Sequence, residues 1–273
     1  MMKLLKSNLA RLFANGIFRI AVVGSAFVGF LCVLWERNYV IATKDGYEMA
    51  GMSVPDSILG LDAHFLAFVN VIAVAVAAFC SFYISTDYKD GTLRNKVVTG
   101  STRSEIYFSN LAVNMAAACM MFTAYLVLVL CTGLPLIGTF QQFAPVKIIA
   151  GILSVYTVMI TFAAIITCIA MMISRQVIAI GISVCTVFVG LCIGQAFLSR
   201  LTDVDLYLEG RERMLELVLF LSDFLPGSQL MEFRALKYSV GNLNPIIIVS
   251  GSVVFTVLLT VIGLIRFRKK ELQ

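Results

Sequence analysis

The sequence predicts an all-α integral membrane protein with six transmembrane helices, and three observations predict it. The chain is 60% hydrophobic and only 14% charged, whereas a soluble domain carries about 25% charged residues. Its mean hydropathy is +0.93. Six stretches carry no charge at all: 20–35, 65–85, 108–146, 148–174, 176–199 and 246–265. A run of about 18 apolar residues is long enough to cross the hydrocarbon core as a helix. The predicted spans are 17–36, 64–84, 109–134, 148–173, 177–198 and 246–266, in one domain covering 1–273.

The N-terminal segment 1–16 precedes the first span. Leu4, Leu5, Leu9, Leu12 and Phe13 recur there at helical spacing, opposite Lys3, Lys6 and Arg11. That pattern predicts an amphipathic helix lying on the membrane surface; the alternative is a basic flank that only fixes topology. The apolar run that follows reaches full spanning length without a small-residue cleavage site, so no cleavable signal peptide is expected.

Lys and Arg set the orientation. With both termini in the cytoplasm, the inner segments hold thirteen of the 21 basic residues and four of the 16 acidic ones. Topology thus accounts for the net charge of +5, and no nucleic acid partner is needed. Cys32, Cys80, Cys119, Cys131, Cys168, Cys185 and Cys192 all fall inside predicted spans and lack CxxC spacing. They read as small hydrophobes, with no metal site or disulfide framework expected.

Between spans 2 and 3 lies the polar, basic run Ser85–Tyr107. Asp90 is a candidate cap for a short helix. Leu93, Val97 and Val98 supply an apolar face, and Arg94, Asn95 and Lys96 face elsewhere. Gly100 suits the left-handed position after a helix, and Thr102 with Glu105 fits a capping box opening the third span. An ordinary solvated loop is the other reading of this grammar. Gly133-Leu134-Pro135 is expected to end the third helix, with a turn over Gly138–Pro145.

The segment resembles the second cytoplasmic region of ABC-2 type permeases, the membrane subunits of ATP-driven exporters. The likeness rests on Asp87 at the end of the second span, Gly91-Thr92-Leu93, the basic stretch Arg94-Asn95-Lys96, and Arg103 leading into the third span. Asp87 stands where that family more often has Glu, and Gly100 where it often has Pro. The resemblance implies a coupling helix over 87–99 that docks into a groove of a separate ATP-binding cassette subunit. Leu93 and Val97 would supply the buried contact, and Arg94 and Lys96 would reach the rim. The chain has no G-x-x-x-x-G-K-[ST] phosphate loop, so ATP hydrolysis would belong to the partner rather than to this chain. No cofactor is implied. A second copy, or a related permease, would complete the pathway.

The outer segment 200–245 precedes span 6. Met214, Leu215, Val218, Leu221 and Leu225 alternate with Glu212, Arg213, Glu216 and Asp223, and Pro226-Gly227 breaks the pattern. The resemblance implies helices here that fold back into the outer leaflet and close an outer gate, with Val218, Leu221, Phe224 and Pro226 as its residues. A solvated extracellular hairpin is the alternative. Gly190 and Gly194 form a GxxxG face on span 5, suited to close packing, more often within a bundle than across a dimer. Tyr156, Thr157, Thr161 and Thr167 give span 4 hydroxyls, which are expected to bond mainly to their own helix.

Three other functions compete. An ion-coupled transporter would place an ionisable residue near the midplane, and the predicted spans offer none. An intramembrane hydrolase would need Ser183 and His64, the single histidine, at one depth. Their predicted depths disagree. The third is a six-helix membrane interaction protein without transport. The charge-free interior suits a hydrophobic or amphipathic substrate, such as a peptide, an antibiotic or a lipid-like molecule.

Overall fold

The computed structural model describes residues 2–50, 52–53, 60–140, 144–201, 212–234 and 245–270. Among them the elements are α1 (Met2–Ala14), α2 (Gly16–Met49), a short 3₁₀ turn (Leu61–Ala63), α3 (Val69–Lys89), α4 (Thr92–Val98), α5 (Arg103–Leu136), α6 (Pro145–Met172), α7 (Gln176–Leu201), α8 (Glu212–Phe224), α9 (Pro226–Arg234) and α10 (Pro245–Lys269). No strand occurs among the described residues. Six helices, α2, α3, α5, α6, α7 and α10, are long and apolar enough to cross a membrane. Among the described residues the fold is all-helical, and its six long apolar helices are those of a multi-pass membrane protein.

Helix ends depart from the hydropathy boundaries in a consistent way. α2 has 34 residues and continues to Met49, thirteen residues past the predicted limit of span 1. At 1.5 Å per residue it is about 51 Å long, well beyond a hydrocarbon core of about 30 Å. α5 is equally long, starts at Arg103 rather than 109, and passes through Pro135 to Leu136. Hydropathy marks where apolar side chains stop. A helix stops only where its regular backbone hydrogen bonding is interrupted: Ile137 N–H still bonds to the Gly133 carbonyl, and the break comes at Gly138 with φ +128°. Residues 141–143 of the expected turn lie outside the described residues.

α3 and α6 form the centre of the bundle, with 67% and 61% of their apolar spans buried, against 28%, 28% and 22% for α2, α7 and α10. Small side chains permit this. Ala73, Ala77, Ser81 and Ser85 on α3, and Ser154, Ala163, Ala164 and Ala170 on α6, are fully or almost fully buried. Without a hydrophobic gradient between helices in lipid, close backbone approach and interhelical hydrogen bonds hold such a bundle. Asn114 of α5 donates to Thr167 Oγ1 at 2.8 Å, and Tyr125 donates to the Phe65 carbonyl at 3.0 Å. Thr161 and Thr167 donate to carbonyls of their own helix, as expected, and Thr161 also meets Thr256 of α10 at 3.0 Å.

The Gly190/Gly194 face of α7 packs inside its own chain. A Cβ on Gly194 would lie 2.7 Å from the Gly227 carbonyl oxygen and 2.7 Å from Ser228 Cα, so α9 rests directly on this face. Residues 226–233 of α9 are all buried. Pro226 starts that helix, lacking the N–H that an interior position would need.

Candidate functional site

One end of the bundle gathers α1, α4 and the last turn of α10; it is called the basic end below. Its centre is Asp87, in the last turn of α3 and 1% exposed. Three donors reach its carboxylate. Lys96 Nζ of α4 lies 2.9 Å from Oδ2, Thr92 Oγ1 lies 2.8 Å from Oδ1, and the Arg11 guanidinium of α1 forms a close ion pair with Oδ1. Arg11 also donates to Tyr83 at 3.2 Å and stands over its ring. Tyr83 in turn donates to the Asn8 carbonyl at 3.0 Å. The Asn8 side chain bonds to Ser109 and Asn110 of α5. One carboxylate thus ties α1, α3 and α4 together. Burial lowers the Lys96 ammonium below the ordinary lysine range, while Asp87 pulls it back up.

The local grammar of α4 is partly as expected. Thr102 and Glu105 form the predicted capping box. Gly100, with φ +90°, takes the left-handed position after α4. Its N–H bonds to the Val97 carbonyl and the Ser101 N–H to the Lys96 carbonyl, a complete Schellman closure. The start of the helix differs. Asp90 caps the C-terminus of α3 rather than the N-terminus of α4, and Gly91 at φ +66° makes the turn. The expected helix over 87–99 is therefore two elements, because a left-handed residue cannot be passed by a continuous right-handed helix.

The side-chain directions also require correction. Leu93 was expected to face a partner, yet it is 1% exposed and packs into the chain's own cluster with Ile84, Ile106, Tyr107 and Phe267. Val97 is partly buried against the same cluster. Lys96 turns in to Asp87 instead of out to a rim. Arg103 is engaged too: its guanidinium donates to the Arg268 carbonyl at 2.8 Å and to the Lys270 carbonyl, capping the C-terminus of α10. The face of α4 left open consists of Arg94, Asn95 and Val98, with Val98 79% exposed. The physical reason is packing: the face with more apolar area is drawn onto the bundle.

α1 likewise packs onto the bundle. Leu12 is fully buried and Asn8 nearly so, and Arg11, assigned to the polar face, turns inward. Phe13 remains 55% exposed.

At the opposite end, Val218, Leu221 and Phe224 of α8 are partly buried, and Pro226 is buried. Phe224 stacks on Phe220 and meets Phe255 of α10, with ring centroids 5.5 and 5.2 Å apart. Gln229 fastens the hairpin: its Nε2 donates to the Asp223 carbonyl at 2.6 Å, and its Oε1 accepts from Ser252 of α10 at 3.1 Å. Residues 202–211 and 235–244 of the outer segment lie outside the described residues.

Three pairings of titratable side chains escaped the sequence reading: Arg11 with Asp87, Glu36 with His64, and Asp223 with Glu232. His64 Nδ1 lies 2.5 Å from Glu36 Oε2, both groups buried. Ser183 Oγ is buried without a hydrogen-bond partner, so the hydroxyl and imidazole that a hydrolase would couple are not in contact. Among the described residues no three His, Cys, Asp or Glu side chains gather as a metal-binding group. No protein-family model matches the chain, and no curated protein matches it.

Proposed function

We propose that this chain is the membrane-spanning permease subunit of an ATP-driven exporter of the ABC-2 type, moving a hydrophobic or amphipathic substrate with ATP hydrolysed by a separate subunit. The observation that carries the reading is α4. It is a seven-residue helix between two membrane helices, closed at both ends by left-handed glycines and clamped to α1 and α3 through Asp87. A displacement of α4 by a partner would be passed directly to α3 and α1 through that carboxylate. On this reading α4 and both termini face the cytoplasm and the membrane is a bacterial cell membrane; the basic bias of these segments supports that orientation. The contact offered to the ATP-binding subunit is Arg94, Asn95 and Val98. The hairpin of the partly exposed α8 and the buried α9, with Val218, Leu221, Phe224 and Pro226, closes the outer end as a re-entrant element, and a second copy or paralogue completes the path.

Replacing Val98 by Asp and Arg94 by Glu tests this. Tagged protein purified from its native membrane is expected to carry an associated ATPase activity. The double variant loses it at unchanged melting temperature, since both side chains are exposed. An ATPase activity equally retained by the variant would refute the docking face. Transport by the purified chain alone, driven by an ion gradient, would favour the secondary-transporter reading. The buried carboxyls of the far end give that second reading some support.

A further inference from the structure

The hairpin of α8 and α9 holds two carboxyls that no described cation answers. Glu232 is 8% exposed, and Asp223 is partly buried. The two carboxyls are hydrogen-bonded to each other, and Ser222 bonds to Glu232. Glu232 Oε2 is buried without a partner. Two carboxyl oxygens make a hydrogen bond only when one of them carries a proton. A bare buried oxygen is also far cheaper on a neutral acid than on a carboxylate.

The elements packed on α9 bring no compensating charge among the described residues. α8 carries Asp223 itself, the exposed Glu216, Glu212 and Arg213, and α9 ends on Arg234; the side chains of Glu212, Arg213 and Arg234 lie outside the described residues. α3 contributes Asn70, which donates to Met231 Sδ at 3.4 Å. Its titratable Cys80, Tyr83, Asp87, Tyr88 and Lys89 lie towards the basic end. α6 brings the exposed Lys147, Tyr156, which pairs with Thr123 of α5, and Cys168 further down. α7 carries the exposed Cys185 and Cys192 and, in its last turn, Arg200, whose side chain lies outside the described residues, and α10 has no titratable group before Arg266.

We infer that Asp223 and Glu232 form a proton-binding site, in which one proton held between the two carboxyls fastens α9 to α8 and its release to water at the far end loosens the hairpin. Burial raises the Glu232 carboxyl from 4.5 to about 8, against the lowering hydrogen bond from Ser222 and with the Asp223 charge assisting. A released hairpin would expose the same carboxyl with its ordinary value. The docked state therefore binds more protons across that window. Docking is strongest below the ordinary value, weakens as pH rises towards about 8, and then levels off. The site rests on the hairpin alone and holds for either reading of function.

Infrared difference spectra of the intact chain in lipid nanodiscs, with hydrogen exchange of residues 212–234, test it. In the natural protein a protonated-carboxyl band disappears as pH rises through neutrality, and exchange, corrected for its intrinsic rate, rises at least about tenfold. In Glu232→Gln, whose amide mimics the protonated acid, the band is absent and exchange is low and flat. Asp223→Asn keeps the band but moves its loss to lower pH, because the neighbouring charge is gone. A natural protein without a carboxyl titrating near neutrality overturns the proposal, even if Glu232→Gln fails to fold. So does a Glu232→Gln protein whose exchange keeps the natural pH dependence.

Discussion

Replacing Asp87 by Asn removes one charge from a site where three donors converge, and the structure sets the size of the effect. Removing one partner of a buried ion pair costs about 3–5 kcal/mol. Arg11 is 37% exposed and keeps Tyr83, so water recovers most of its share. Lys96 is 14% exposed and has no second acceptor of comparable strength. The cost therefore falls mainly on Lys96 and sits at the lower end of the range, about 3 kcal/mol. That is roughly a hundredfold in the ratio of docked to undocked α1 and α4. Hydrogen exchange of residues 2–14 and 92–98 in nanodiscs reads it directly. Protection should fall in both segments together, although 76 residues separate Arg11 from Asp87. Adding Lys96→Met should restore about half of the loss, because no unpaired ammonium then remains; the cycle should return a coupling of at least about 1.5 kcal/mol, that recovered half plus the cost of Lys96→Met alone. Native protection in Asp87→Asn, or losses in the double variant that simply add, would refute the shared-carboxylate account.

Two further substitutions probe the turns and the hairpin. Gly91→Val should lower thermal stability by about 1–2 kcal/mol through the backbone alone, since an added Cβ meets nothing within 4 Å at φ +66°; Gly91→Asn should lose less in the same melting experiment. Gly227→Ala should drive a methyl group into the Gly190 backbone and detach α9 from α7, a cost of about 1–3 kcal/mol read as faster exchange over 226–234. Gly181→Ala, with open space at its Cβ, should leave that exchange unchanged.

What could be read from the chain alone shares one property: the cause lies within a few residues. The six spans follow from charge-free runs. The capping box joins Thr102 to Glu105, three residues on, and the closure at Gly100 needs only the helix it ends. Where a second element decides, the reading failed. Leu93, Val97 and Val98 look like one apolar face. Contact with Ile84, Tyr107 and Phe267 is what turns Leu93 inward and leaves Val98 outside. Lys96 reads as a contact to a partner's rim, and Arg103 as the residue leading into the third span, until Asp87 and the C-terminus of α10 are placed beside them.

The sequence by itself determined the class, the number of spans, the basic end and the local closures of α4, because hydropathy and i to i+3 hydrogen bonding are local. Only the tertiary structure decided that α3 and α6 form the centre, that α9 lies on the Gly190/Gly194 face, and that Arg11 meets Asp87 and Asp223 meets Glu232. Those outcomes depend on which helix faces come together. A periodic apolar pattern in a membrane chain is too uniform to encode that choice. It is made by the few small residues that permit close approach and the few polar ones that must find partners once buried.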